Sequence, residues 1–128
     1  MNYTVNIYAS GKVASLVTTA GSHGTHVGGI VAAYEGGPGG LGAEHNGIAP
    51  GAQLVSIKIG DSRLGSMETG VGLARGIIEA IRLKVDVINM SYGESSSLPN
   101  SGRVSELIRS AVFDHGIVRY HCVRSHGL

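Results

Sequence analysis

The 128-residue chain has a single cysteine, Cys122, no tryptophan, one phenylalanine and three prolines. One thiol cannot close an internal disulfide, so the fold must rest on packing, and this cysteine usage points to a reducing, cytoplasmic setting. Charge is scarce as well, at 15% against about 25% in an average soluble domain. It is also balanced, with ten Lys and Arg facing nine Asp and Glu. No broad field of one sign exists to hold nucleic acid or an anionic membrane, and neither is an expected partner. No apolar run reaches the roughly 18 residues of a membrane span, and the N-terminus lacks the basic-then-apolar order of a secretory signal. What is abundant is apolar side chain, 42%, and glycine, 21 residues. The first can fill a core and excludes a disordered tail, while the second, with no collagen-like period, implies tight turns and close backbone approaches.

Periodicity organises the chain. Tyr3, Val5 and Ile7 alternate with polar residues, Ser10-Gly11 can turn, and residues 12–18 are again β-prone, which reads as a hairpin. Val27, Ile30, Val31 and Tyr34 fall at helical spacing, so a helix is predicted to start near Ser22, whose hydroxyl can cap it, with His23 in the first turn. Residues 36–42 and 46–51 have the composition of loops. Residues 53–59 predict a short apolar strand. Met67, Val71, Ala74, Ile78 and Ile81 predict one apolar ridge along a helix spanning 66–84. Residues 85–90 form the next strand. Val104, Leu107, Ile108, Ala111 and Val112 give a third helical face, Gly116 stands where a C-terminal cap belongs, and Ile117-Val118 opens a strand. Strands alternating with helices predict an α/β fold, a parallel sheet with helices on both faces. From Arg119 the expected apolar run does not arrive. Arg119, His121, Arg124 and His126 bring polar groups that a buried central strand cannot hold unpaired, which sets residues 119–128 apart as a divergent tail.

The strongest chemical signal is Ser22-His23-Gly24-Thr25-His26-Val27-Gly28-Gly29-Ile30, a histidine at a helix start. The positive end of a helix disfavours imidazolium by about 0.3–1 kcal/mol, which helps keep the ring neutral and able to accept a proton. Gly24 removes a side chain beside the ring, and Gly28 and Gly29, which cost helix propensity, predict close approach of another backbone. Spacing alone leaves two readings open, a general base or a capped helix with two satisfied histidines.

His23-Gly24-Thr25-His26-Val27 resembles the histidine motif of subtilisin-like serine peptidases. Asn46-Gly47-Ile48-Ala49-Pro50-Gly51-Ala52 and Val87-Ile88-Asn89-Met90-Ser91-Tyr92-Gly93 resemble two further segments of that family, in the same order. Residues 2–8, Ser56-Ile57-Lys58-Ile59-Gly60-Asp61-Ser62-Arg63-Leu64 with Met67-Glu68-Thr69-Gly70, and Ser91-Tyr92-Gly93-Glu94 resemble its tripeptidyl-peptidase II branch. The resemblance covers residues 2–118 and implies a partial subtilisin-like peptidase domain over 1–118, with a hairpin extension at 1–18 and an α/β part at 19–118. It implies that His23 is the catalytic base and His26 a structural histidine. The family's aspartate and its serine, in a Gly-Thr-Ser motif, have no counterpart in these residues, and the oxyanion asparagine that follows the last strand is replaced by Arg119-Tyr120-His121-Cys122. Losing one oxyanion donor costs about 2.7–4 kcal/mol of transition-state stabilisation. The resemblance therefore implies a fragment of an exopeptidase that needs no cofactor and is inactive alone. It also implies homo-oligomers for full-length family members. The alternative, from another class, is a non-catalytic module that binds peptide N-termini or occupies an interface. The family's aspartate-bearing strand would lie between the strands matching 53–59 and 85–90, so a marginal isolated fold is expected.

Substrate contacts follow from the same resemblance. Leu64-Gly65-Ser66 matches the edge that pairs with substrate backbone, and Ser91-Tyr92-Gly93 the facing wall. Glu68, expected in the first turn of the long helix, and Glu94, directly after the wall, would put negative charge on both sides of a substrate strand. A free α-amino group, with pKa about 7.7–8.0, is mostly cationic at neutral pH. The resemblance implies that these acids clamp the substrate N-terminus and set the cut three residues along. From spacing alone, Glu68 reads as a helix-terminal acid and Glu94 as a solvated loop residue; it is the resemblance that puts the clamp ahead.

Three weaker signals are discounted. Gly37-Pro38-Gly39-Gly40-Leu41-Gly42 fits a dinucleotide-loop pattern but follows a helix instead of a strand. His115, His121, Cys122 and His126 match no common zinc spacing, so no metal is expected. Asn2-Tyr3-Thr4 and Asn89-Met90-Ser91 are glycosylation sequons without a secretory route.

Overall fold

The computed structural model describes residues 3–18, 21–61, 67–91 and 101–121. The chain divides into two compact units, Met1–Gly51 and Ala52–Leu128.

In the first unit, the predicted hairpin forms from β1 (Tyr3–Tyr8) and β2 (Val13–Thr18), paired antiparallel from Tyr3 opposite Thr18 to Tyr8 opposite Val13. A three-residue 3₁₀ turn, Ala9–Gly11, joins them, and all three residues have positive φ. The alternation seen in the sequence does not bury a face, since Tyr3, Ile7 and Leu16 all remain exposed. Helix α1 (His23–Ala32) starts where predicted, but Ser22 makes no side-chain capping bond. Its backbone is already helical, with φ −94° and ψ −16°, whereas a capping hydroxyl needs an extended Ncap residue. After α1 the chain loops back along the helix end. The amides of Gly47, Ile48 and Ala49 donate to the carbonyls of Ala33, Ile30 and Val31, and Asn46 Oδ1 accepts from the Glu35 amide at 2.6 Å.

The second unit opens with a departure from expectation. Residues 53–59 do not enter a ladder; among the described residues, pairing begins only at β3 (Gly60–Asp61), antiparallel to β4 (Met67–Glu68). Residues 57–59 lie instead along a glycine stripe of helix α2 (Gly70–Arg82). A Cβ on Gly72 would meet the Ile59 carbonyl at 3.1 Å, and one on Gly76 would meet Ile59 Cγ2 at 2.9 Å. Apolar character and β propensity do not make a strand without a neighbouring strand to bond.

Helix α2 starts later than the predicted residue 66, because Met67 and Glu68 are in β4 and Thr69 is the N-cap, its Oγ1 accepting from the Gly72 amide at 3.1 Å. Its buried face also differs from the predicted ridge. Ile77 and Ala80 are the buried residues, with Leu73 and Ile81 packed beside the core, whereas Val71 is 65% and Ile78 49% exposed. The helix is rotated by about 90° from the expected orientation, towards the glycine stripe that admits residues 57–59.

Strand β5 (Val87–Met90), helix α3 (Gly102–Phe113) and strand β6 (Val118–His121) complete a parallel crossover, with Val87 opposite Val118 and Met90 opposite His121. Gly116 ends the third helix as predicted. At φ +68° it donates to the Val112 carbonyl while Ile117 donates to Ala111, a Schellman closure that drops Ile117 into the core. Ile77, Ala111 and Ile117 form that core, flanked by Ile88, Leu107 and Ile108. The helices thus cover one face of the β5 and β6 pair. On the other face Val87 and Val118 are each about half exposed; among the described residues the strands form three separate two-stranded sheets, one parallel (β5 and β6) and two antiparallel, and the expected single parallel sheet with helices on both faces is not seen.

Candidate active site

His23 is the first residue of α1, and its side chain is exposed, as is that of His26 one turn on. The placement follows from local sequence. Gly21 adopts φ +144°, a conformation that L residues rarely adopt, and turns the chain into the helix just before His23. Gly24 leaves the space beside His23 open, with no atom within 4 Å of where a Cβ would stand. Of Gly28 and Gly29, where a close backbone approach is predicted, Gly29 has nothing within 4 Å of where its Cβ would stand, although its carbonyl is closely approached from another segment. That approach is made by Gly47, where a Cβ would meet Ala32 N, Ala33 N and Gly29 O at 2.7 Å each. Gly47 belongs to the second motif, so the Asn46-Gly47 turn is locked to the C-terminal end of α1, the end opposite His23.

In the second unit, Glu68 is in β4, its backbone opposite Gly60, and not in the first helical turn. The β3 and β4 pairing brackets residues 62–66; Leu64, Gly65 and Ser66 lie outside the described residues, as do Tyr92, Gly93 and Glu94. Ser91 directly follows β5 and is partly buried, and its Oγ accepts from Asn89 Nδ2 at 3.0 Å. Sequence reasoning does not single out Asn89 beyond its motif; the polar residue two before Ser91, on the same side of an extended strand, is the signal that marks it. Among the described residues no three His, Cys, Asp or Glu side chains gather as a metal-binding group.

Arg119 is the second feature that stands out in the sequence. In β6 it stands opposite Ile88, on the helix-covered side, and its Nε is buried without a hydrogen-bond partner. Burial holds its guanidinium below the ordinary value. The polar residues after Val118 therefore do not prevent the backbone from pairing as far as His121, but they leave a buried donor unsatisfied.

A profile of the subtilase family matches residues 1–124. The chain belongs to the subtilase family. Among curated subtilases it is 52% identical over 113 residues to "Tripeptidyl-peptidase 2" of Arabidopsis thaliana, covering 87% of this chain and 8% of that protein. It is 50% identical over 117 residues to "Tripeptidyl-peptidase 2" of Oryza sativa subsp. japonica, covering 91% of this chain and 8% of that protein. A solved structure, "Crystal Structure of Tripeptidyl Peptidase 2 (TPP II)", matches with TM-score 0.82 and 39% identity, over 98% of this chain and 10% of that one. The subtilase fold inferred from the histidine motif is thus shared with a solved structure. The chain spans about a twelfth of the length of the curated relatives it matches.

Proposed function

We propose that this chain is the base-bearing segment of a serine exopeptidase that releases tripeptides from free peptide N-termini. The observation that carries the reading is His23, an exposed imidazole opening α1 within a subtilase histidine motif. In such chemistry a serine Oγ attacks the peptide carbonyl as the imidazole takes its proton. The imidazolium then gives that proton to the leaving amine, and water hydrolyses the acyl-enzyme with the imidazole again as base. The Gly-Thr-Ser nucleophile motif does not occur in the 128 residues, and with Arg119 to Cys122 replacing the oxyanion turn the chain alone is inactive.

Glu68 and Glu94 supply the specificity. Two carboxylates flanking a substrate strand favour an α-ammonium over an acylated end through charge-assisted hydrogen bonds. Leu64, Gly65 and Ser66 on one side and Ser91, Tyr92 and Gly93 on the other carry the substrate backbone, with the Asn89 bond fixing the Ser91 hydroxyl. The reading places this activity in the cytoplasm, without a cofactor, in a homo-oligomer at full length. It also gives the bare face of the β5 and β6 pair a helical layer, since parallel sheets are covered on both faces.

The test is a chimera in which residues 2–118 replace the matching segment of the Arabidopsis relative. Cleavage products of one peptide, with a free and with an acetylated N-terminus, are read by mass spectrometry. The reading expects tripeptide release from the free-amine peptide only, with Glu68→Gln lowering kcat/KM by about tenfold or more. Equal cleavage of both peptides would refute the clamp.

A further inference from the structure

Asn46 and Gly47 both serve the lock at the end of α1. Asn46 Oδ1 accepts from the Glu35 amide at 2.6 Å, and Gly47 has no room for a side chain, since its Cβ would meet Ala32 N, Ala33 N and Gly29 O at 2.7 Å each. The lock thereby contains the one Asn-Gly step of the 128 residues. Such a step is chemically labile, because glycine leaves its amide nitrogen unshielded and lets the backbone turn freely towards the preceding side-chain carbonyl. The folded geometry opposes that reaction. Ring closure needs Asn46 Cβ and Gly47 N nearly eclipsed about the Cα–C bond, whereas Asn46, at φ −65° and ψ 153°, is extended. The Gly47 N–H, whose proton must be given up, donates to the Ala33 carbonyl at 2.9 Å. The Asn46 carboxamide, which must turn to meet that nitrogen, is part-buried and held by the Glu35 N–H.

We propose that Asn46 is a deamidation site guarded by the fold, and that its reaction irreversibly marks a first unit that has opened. When residues 46–49 leave the end of α1, the Gly47 nitrogen loses its proton and attacks Asn46 Cγ. The N–Cγ bond forms, the Cγ–Nδ2 bond breaks, and ammonia leaves with the proton, giving a cyclic imide. Water then adds to one of the two imide carbonyls. Cleavage of the N–Cγ bond yields an aspartate at position 46, and cleavage of the bond from nitrogen to the main-chain carbonyl carbon yields an isoaspartate. The aspartate keeps an oxygen for the Glu35 N–H. The isoaspartate carries the main chain through Cβ and Cγ, lengthening it by a methylene, so the amides of Gly47, Ile48 and Ala49 no longer meet the Ala33, Ile30 and Val31 carbonyls in register. Opening is thus recorded as a lock that cannot reclose.

The experiment follows the whole chain in a mildly alkaline buffer, with and without urea, by peptide mapping and mass spectrometry that separates aspartate from isoaspartate. In urea, deamidation at Asn46 is expected to lead that at Asn2, Asn6, Asn89 and Asn100. Without urea its rate is expected to be lower by about tenfold or more, because the reaction follows the open fraction. The isoaspartyl form, separated by chromatography, and the Asn46→Asp variant are then compared by hydrogen exchange. The variant is expected to keep the protection of the Gly47, Ile48 and Ala49 amides that the isoaspartyl form loses. Equal rates at Asn46 with and without urea, or an equal rate at a second asparagine in urea, would overturn the proposal. So would protection retained in the isoaspartyl form, or lost to the same extent in the Asn46→Asp variant.

Discussion

Gly47 and Gly29 meet through the Gly29 carbonyl, yet a methyl group would affect them in opposite directions. At Gly47 an added Cβ collides with three backbone atoms at 2.7 Å, none of which is a side chain able to swing away. Gly47→Ala is expected to destabilise the chain by about 1–3 kcal/mol. At Gly29, inside α1 with nothing within 4 Å of the added atom, the same change removes only backbone freedom from the unfolded chain and is expected to stabilise by about 0.5–1 kcal/mol. Urea denaturation of the two variants tests both signs at once. Arg119 gives a third case. A buried donor left unsatisfied costs about 1–3 kcal/mol, so Arg119→Val is expected to raise stability by an amount in that range. The sign of its titration agrees. Burial lowers the folded-state pKa of this base, so the folded chain holds the proton less tightly than the unfolded one. The penalty is therefore present at every pH below the lowered value and lifts only as pH rises through it.

Each helix tests a different link between sequence and packing. In α2 the expected costs follow the observed face: Ile77→Ala, at a residue 5% exposed, should cost about 2–5 kcal/mol, and Val71→Ser, on the outward stripe, should stay within about 0.5 kcal/mol. Thermal unfolding that showed the reverse would restore the ridge read from the sequence. Thr69→Ala should cost about 1 kcal/mol through loss of the N-cap bond. The third helix is legible in the sequence because all its signals agree. Val104, Leu107, Ile108, Ala111 and Val112 occupy a single arc, with only Phe113 outside it and exposed, and Gly116 takes the positive-φ conformation that closes the helix. The face of the second is not, because Val71, Ala74, Ile78 and Leu73, Ile77, Ala80 form two adjacent stripes, and periodicity cannot say which one a partner covers. What decides is the approach of residues 57–59 to Gly72 and Gly76, a tertiary contact. The same limit explains the absent strand at residues 53–59, whose composition is right but whose ladder depends on a neighbour. The histidine at the start of α1 is legible from local sequence alone, since a helix start and a glycine-rich motif are both short-range features.

At the scale of the molecule, the core is confined to the second unit and is small. Among the described residues only Ile77, Ala80, Ala111 and Ile117 are buried hydrophobics, while Tyr3, Ile7, Leu16 and Ile48 stand well exposed. Surface of this kind marks contacts left to be made. The chain in isolation is therefore expected to unfold over a broad, weakly cooperative transition, with low amide protection in β1 and β2 and the highest protection in α2, α3 and β5, measurable by hydrogen exchange. The account of function turns on the role of one imidazole. In the chimera that carries residues 2–118 inside the Arabidopsis relative, His23→Ala is predicted to lower kcat for tripeptide release by about 10⁶-fold, the loss that follows removal of the base in subtilisin, with peptide binding retained. Undiminished turnover in that variant would show that His23 carries no proton in catalysis and would contradict the account.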